Sequence, residues 1–112
     1  MKSLSIALFF VFAISSSSFA QTKQDTIKVW GSCGMCKGKI EKAAKSAGAK
    51  SATWDVESHM LVLSYKTEKT DLKKIQESIA KVGYDTQDVT ADNAAYDALH
   101  GCCKYDRKEA SN

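Results

Sequence analysis

The stretch "VWGSCGMCKGKIEKAAKSAG", residues 29–48, places two cysteines where the hydrophobic pattern changes from strand to helix. Before them, Ile27 and Val29 alternate with a lysine, which is typical of a half-buried strand. After them, apolar residues recur at helical spacing until a glycine ends the pattern. The sequence therefore predicts that Cys33 and Cys36 lie in a strand-to-helix turn, with the helix starting at Cys36.

Two further strands and a second helix are predicted beyond this stretch. Residues 51–57 and 60–66 alternate apolar and polar side chains, as expected for antiparallel strands joined by a short turn. An amphipathic helix follows, with Thr70 as its N-cap and Gly83 as its end. Residues 84–90 are a weaker candidate for a last strand.

The order strand, helix, strand, strand, helix, strand is that of the ferredoxin-like βαββαβ sandwich. This α+β fold covers one face of an antiparallel four-stranded sheet with two helices. We expect one domain over residues 21–90 and a C-terminal extension over residues 91–112. The extension is predicted to hold a short helix and a polar tail with the Cys102–Cys103 pair.

The first twenty residues have the features of a secretory signal peptide. Lys2 precedes an apolar run over residues 4–14, and small residues end the segment at Ala20. The run is shorter than the roughly 20 residues of a membrane-spanning helix. We expect cleavage before Gln21, no stable membrane anchor, and a bacterial periplasm as the location.

Charge and composition exclude two classes of function. The chain has 16 Lys and Arg residues and 13 Asp and Glu residues, but the two signs are interleaved. The basic patch of a nucleic-acid-binding protein is therefore missing. No combination of nucleophile, acid and base is evident either, so the sequence does not predict an enzyme.

The cysteines themselves admit several kinds of chemistry. A thiol at a helix N-terminus has a lowered pKa, which suits both disulfide exchange and metal binding. A thioredoxin-like active site would face a cis-proline, but the sequence contains no proline. A structural zinc site needs four ligands, and Cys102 and Cys103 are adjacent instead of spaced. Two thiolates on an exposed loop suit a soft ion such as Cu(I), and a disulfide framework stays open.

These motifs resemble the heavy-metal-associated domain family, which includes small copper chaperones, the N-terminal domains of copper-transporting P-type ATPases and the periplasmic mercuric-ion binding protein. Residues 26–86 carry the resemblance, through "GSCGMCKGKIEKA" and the later "VGYDT". It implies that Cys33 and Cys36 are metal ligands and that Tyr84 lies beside them. The implied cargo is Cu(I) first, with Hg(II), Zn(II) and Cd(II) as alternatives.

The function implied by the resemblance is capture of a soft metal ion and its transfer by thiolate exchange. The partner would be a metal-transporting ATPase, a membrane transporter or a cuproenzyme. The protein would be a monomer, with a metal-bridged dimer as an alternative. Two other functions stay open: a dithiol redox protein, and an adaptor whose C-terminal cysteines switch partner binding.

Two departures from the family pattern affect the expected site. The family usually has a methionine two residues before the first cysteine, packed beneath the loop, whereas this chain has Gly31 there and Met35 between the cysteines. Met35 is expected to pack against the loop or face solvent, and a thioether ligand is the alternative.

The second departure is the segment "LHGCCK" in the extension, where His100, Cys102 and Cys103 are candidate additional ligands. Adjacent cysteines do not easily form a disulfide with each other. They would instead bind the metal, cross-link to the first pair, form another disulfide or stay free thiols.

Four other aromatic and histidine residues complete the predictions. Trp54 and Tyr65 are expected in the core, Trp30 beside the cysteines as a shield, and His59 as an exposed turn residue without a partner.

Overall fold

The computed structural model describes residues 21–108, so the signal peptide predicted over residues 1–20 lies outside the described part. The elements are β1 Thr22–Lys28, α1 Gly34–Ser46, β2 Ala49–Trp54, β3 Met60–Lys66, α2 Leu72–Lys81, α3 Asn93–Asp97 and a 3₁₀ turn Gly101–Cys103. Within the described residues, no helix is both long enough and apolar enough to span a bilayer.

The sheet is antiparallel, with β3 between β1 and β2. Ile27 of β1 and Trp54 of β2 both pair with Leu61 of β3, so the three form a row across the sheet. All three side chains are buried, together with Ile40 of α1 and Ile75 of α2. The helices therefore bury one face of the sheet, in an α+β arrangement compatible with the ferredoxin-like fold.

The fourth strand predicted over residues 84–90 is reduced to a single bridge between Val29 and Thr86 in the described structure. The chain turns back at this point, because the N–H of Thr86 donates to the carbonyl of Val89 at 2.8 Å and the N–H of Val89 donates to the Thr86 hydroxyl at 3.1 Å. Because these backbone groups are hydrogen-bonded within the turn, they cannot also pair with β1 in a longer strand.

Both helices begin at other residues than predicted. Helix α1 starts at Gly34, two residues before Cys36. The N-cap of α2 is Asp71, whose carboxylate accepts a hydrogen bond from the Lys74 N–H at 2.8 Å, and not Thr70. Thr70 is instead buried next to Gly48. A carboxylate is the better partner for the free N–H groups of a first turn.

The extension forms the predicted short helix, α3, but the residues after it are not the polar tail that the sequence predicted. Leu99, Cys103 and Tyr105 all belong to the hydrophobic core. The Tyr105 hydroxyl donates to the Gly83 carbonyl at 2.7 Å and accepts the Asp85 N–H at 2.8 Å. The extension therefore packs along the segment that follows α2, which brings its cysteines to the start of α1.

Candidate metal centre

Cys33 and Cys36 lie at the N-terminus of α1. Cys33 is the N-cap residue and is partly exposed, whereas Cys36 belongs to the first turn and is fully buried. Their Sγ atoms are 4.0 Å apart. The free N–H groups and dipole of the helix start favour negative charge here.

The 3₁₀ turn of the extension brings a third thiol to this pair. The Sγ atoms of Cys33, Cys36 and Cys103 all lie within 4.8 Å of one another, and Cys103 is fully buried. The turn docks through its backbone, since the Ser32 hydroxyl donates to the Cys102 carbonyl at 2.8 Å. The three residues are called the thiol cluster below.

The other predicted candidates lie outside the thiol cluster. Cys102 is exposed, and its Sγ is 3.9 Å from the Sδ of Met35, whose side chain is 51% exposed. His100 is exposed at the start of the 3₁₀ turn. All four cysteines are free thiols, so the structure contains no disulfide among them.

The thiols of Cys36 and Cys103 differ in acidity. Burial opposes ionisation of Cys36, but the hydrogen bond with the Ser32 hydroxyl and the nearby Tyr84 hydroxyl outweigh it and lower the pKa of Cys36 to about 6. Burial raises the pKa of Cys103 to about 12, and the neighbouring Cys36 thiolate adds to the shift. Near neutral pH, in the absence of metal, Cys36 is therefore a thiolate and the neighbouring Cys103 is a neutral thiol.

Ser32 has one hydroxyl proton and two acceptors within reach. The Cys102 carbonyl lies at 2.8 Å and the Cys36 Sγ at 3.4 Å. Hydrogen bonds to a charged acceptor are roughly twice as strong as neutral ones. Ionisation of Cys36 therefore favours donation to its sulfur, at the expense of the contact that docks the 3₁₀ turn.

Tyr84, which the family resemblance places beside the cysteines, forms a buried side of the thiol cluster. It is fully buried and stacks on Tyr105 with ring centroids 5.7 Å apart. Burial raises the pKa of Tyr84, and the neighbouring Cys36 and Cys103 raise it further. No atom in residues 21–108 meets the geometry of a hydrogen bond with its hydroxyl, so this polar group is available to charge that develops on the sulfurs.

Trp54 explains why Gly31 replaces the methionine of the family pattern. A Cβ at Gly31 would lie 2.9 Å from the Trp54 ring and 3.2 Å from Ile40. The indole N–H also donates to the Val29 carbonyl at 2.9 Å, which fixes the ring. The ring thus fills the space beneath the loop.

Of the remaining predictions for aromatic residues, some are confirmed and one is wrong. Trp54 and Tyr65 are core residues, as predicted. His59 is not an unengaged residue, because its ring is partly buried and stacks on Trp54 with centroids 5.6 Å apart. Trp30 is half-buried next to Gly31, and Lys28 and Lys108 lie over its ring.

Comparison with known proteins gives the family. A model described as the heavy-metal-associated domain matches residues 31–85. The structure described as the CopZ metallochaperone is 30% identical, with a TM-score of 0.54, and the match covers 57% of this chain and 98% of CopZ. This chain belongs to the heavy-metal-associated domain family.

Two other heavy-metal-associated structures show the same fold. The putative copper-ion-binding protein from Bacillus anthracis str. Ames is 28% identical, with a TM-score of 0.57 and coverage of 61% of this chain and 99% of that one. Oxidized MerP from Ralstonia metallidurans CH34 is 25% identical, with a TM-score of 0.57 and coverage of 60% and 96%.

The water-soluble region of the P-type ATPase CopA from Bacillus subtilis and the N-terminal domain of the zinc(II) ATPase ZiaA are also among the structural matches. No curated protein sequence matches the chain significantly. The protein is therefore a heavy-metal-binding, chaperone-like domain of this family, with a cluster of cysteines at the start of its first helix.

Proposed function

We propose that this protein carries a soft metal ion, Cu(I) first, which it captures and releases by thiolate exchange at Cys33 and Cys36. The observation that carries the proposal is the pair of thiols 4.0 Å apart at the N-terminus of α1, one of them with a pKa of about 6. A site that is partly ionised before the metal arrives loses less binding energy to proton release.

The choice of Cu(I) rests on ligand chemistry. Thiolates prefer soft ions, and Cu(I) accepts low coordination numbers in which a partner's thiol can enter before another leaves. Hg(II) and Cd(II) share the affinity for sulfur, whereas Zn(II) favours four ligands. The described cluster offers three thiols.

Location and partner form a second part of the proposal. The signal-like pattern of residues 1–20 supports secretion into a periplasm. There the carrier would exchange metal with a metal-transporting ATPase, a membrane transporter or a cuproenzyme. Exchange needs no catalytic residues, because the incoming and outgoing ligands are the same kind of sulfur.

The first experiment is an anaerobic Cu(I) titration of the reduced protein against a chromophoric chelator. We expect one equivalent bound per chain, and loss of competitive binding in Cys33→Ser and Cys36→Ser. His100→Ala, in the extension but outside the thiol cluster, is the matched control and should bind as the unmodified protein does.

Failure of the unmodified protein to compete would overturn the proposal. A disulfide-reduction assay run beside it identifies the alternative, because turnover without tight metal binding is the behaviour of a dithiol redox protein. Partner association that depends on redox state but not on metal would instead indicate an adaptor.

A further inference from the structure

We propose that Cys103 is a third metal ligand and that the extension converts a two-thiolate transfer site into a three-coordinate sulfur site for a soft ion. The inference rests on the proposed function and concerns the geometry in which the cargo is held. It assigns different roles to the two adjacent cysteines, because Cys103 points into the site and Cys102 lies outside it.

The distances fit trigonal coordination. With metal–sulfur bonds of about 2.3 Å, sulfurs at the corners of a trigonal site lie about 4 Å apart, and those at the ends of a linear site about 4.6 Å apart. Cys33 and Cys36 are separated by 4.0 Å, and Cys103 completes a set within 4.8 Å. Movement of less than about 1 Å therefore brings all three sulfurs onto one ion.

In the metal-free structure the backbone of the 3₁₀ turn lies against the cysteine loop. The carbonyl of Cys102 lies 2.8 Å from the Ser32 Oγ and 3.5 Å from the Cys33 Sγ. The carbonyl of Cys103 lies 3.9 Å from the Cys36 Sγ. The 3₁₀ turn therefore contacts the cysteine loop through consecutive residues.

The residues after Cys103 anchor the turn from the other side. The Tyr105 hydroxyl bonds Gly83 and Asp85, and Arg107 forms an ion pair with Asp85 at 2.8 Å. Tyr96 donates to the Tyr105 carbonyl at 2.7 Å. These contacts order the third ligand in advance, which reduces the entropy lost on binding.

The surroundings of the cluster accept negative charge. Three thiolates around a monovalent or divalent ion leave a net negative charge in a buried site, which needs donors. The hydroxyls of Tyr84 and Ser32 both lie beside the Cys36 sulfur, and α1 begins at the cysteine pair, so its free N–H groups are close to the sulfurs. This environment favours ions that accept three sulfurs, Cu(I) and Hg(II), over tetrahedral Zn(II).

The test combines affinity with a count of sulfur ligands. Even partners that only support a ligand contribute about 10–100-fold to metal affinity, so Cys103→Ser should weaken Cu(I) binding at least about tenfold. Cys102→Ser is the matched control on the adjacent residue. Its Cu(I) affinity should stay within about threefold of that of the unmodified protein, which is less than half of the 1.4 kcal/mol that a tenfold change represents.

X-ray absorption of the Cu(I)- and Hg(II)-loaded proteins supplies the second readout. Three sulfurs around the metal are expected in the unmodified protein and in Cys102→Ser, and two in Cys103→Ser. The count on the unmodified protein does not depend on any variant folding, so destabilisation by the serine does not obscure the result.

The outcomes separate the two proposals. Two sulfurs in the unmodified protein, with equal affinity in Cys103→Ser, would overturn the third ligand and leave the carrier function intact. An equal loss in Cys102→Ser would overturn the division between the two cysteines. Absence of Cu(I) binding by the unmodified protein would contradict the carrier function itself.

Discussion

The guanidinium of Arg107 forms two hydrogen bonds with the fully buried carboxylate of Asp85, 2.8 Å from Nη2 to Oδ1 and 3.1 Å from Nε to Oδ2. Asp85 directly follows Tyr84, and Arg107 lies four residues beyond Cys103. The same carboxylate accepts the Ala91 N–H at 2.8 Å. One buried acid therefore binds the extension at two points, Ala91 and Arg107, next to Tyr84 of the thiol cluster.

Replacing Arg107 with Gln should lower the free energy of unfolding by about 3 kcal/mol, because it leaves a buried carboxylate without its charged partner. Urea denaturation of the metal-free protein measures the change. Lys104→Gln is the control, since its ammonium lies 3.9 Å from the exposed carboxylate of Asp97. Removing that surface pair should cost less than about 1 kcal/mol, and an equal loss in both variants would contradict the special role of Arg107.

The same ion pair should make stability depend on pH in acid. Burial opposes ionisation of Asp85, but hydrogen bonds from Arg107 and from the Ala91 N–H outweigh it and hold the pKa below its ordinary value. The folded-state pKa is thus below the unfolded value of about 3.9, so the stabilisation is complete above that pH and is lost as pH falls through the folded-state pKa.

Urea midpoints measured between about pH 6 and pH 2 should fall steeply only at the acid end. Asp85→Asn should be less stable at neutral pH but should show a shallower decline. An unchanged slope in Asp85→Asn would mean that other carboxylates carry the acid sensitivity.

Gly31 and Gly38 should respond in opposite directions to the same substitution. Gly31→Ala places a methyl group 2.9 Å from the Trp54 ring, and such overpacking costs about 1–3 kcal/mol. Gly38 lies inside α1 with open space around it, so Gly38→Ala should stabilise by about 0.5–1 kcal/mol through helix propensity. Thermal unfolding of the two variants gives both signs, and a stabilising Gly31→Ala would contradict the packing of Trp54.

The elements predicted best from the sequence were those with long periodic patterns. Helix α1 and the hairpin of β2 and β3, which pairs Trp54 with Leu61, are both present. Their apolar residues recur at helical or alternating spacing because one face of each element is buried. The fourth strand did not form as predicted, since the turn at Thr86 depends on a side-chain hydroxyl that propensity does not reveal.

In the extension, the sequence predicted the short helix α3 but not the packing of the residues that follow it. Tyr105 and Arg107 stand among charged residues, and their partners lie about 20 positions earlier in the chain. Such long-range pairs leave no periodic signal. The sequence shows two adjacent cysteines, but their separation into a buried Cys103 and an exposed Cys102 follows from the 3₁₀ turn, which three residues of sequence do not specify.

Ser32→Ala should raise the pKa of Cys36 above its value of about 6, because it removes a hydroxyl that donates to the thiolate. Thiolate absorbance in the far ultraviolet, recorded against pH in the reduced metal-free protein, follows the ionisation. Ser51→Ala is the control, since this exposed serine bonds Ser64 away from the cluster. The low-pH step should disappear in Cys36→Ser, and its persistence there would assign it to another thiol.

The stacked tyrosines Tyr84 and Tyr105 should respond oppositely to loss of their hydroxyls. Tyr105→Phe removes one acceptor and one donor role at good distances, so it should cost about 1–3 kcal/mol in stability. Tyr84→Phe removes a buried hydroxyl that has no partner of hydrogen-bond geometry in residues 21–108. At a pH below the Cys36 pKa, metal-free Tyr84→Phe should therefore be as stable as the unmodified protein or up to about 1 kcal/mol more stable.

Metal binding should reverse this order for Tyr84. Once the cluster is fully ionised around a metal, the Tyr84 hydroxyl gains thiolate acceptors, and its removal should weaken Cu(I) affinity by about 10–100-fold. Urea denaturation without metal measures the change in stability of Tyr84→Phe, and chelator competition measures the change in its Cu(I) affinity. A Tyr84→Phe protein that loses stability without metal yet binds Cu(I) normally would show that the hydroxyl supports the fold and has no role toward the sulfurs.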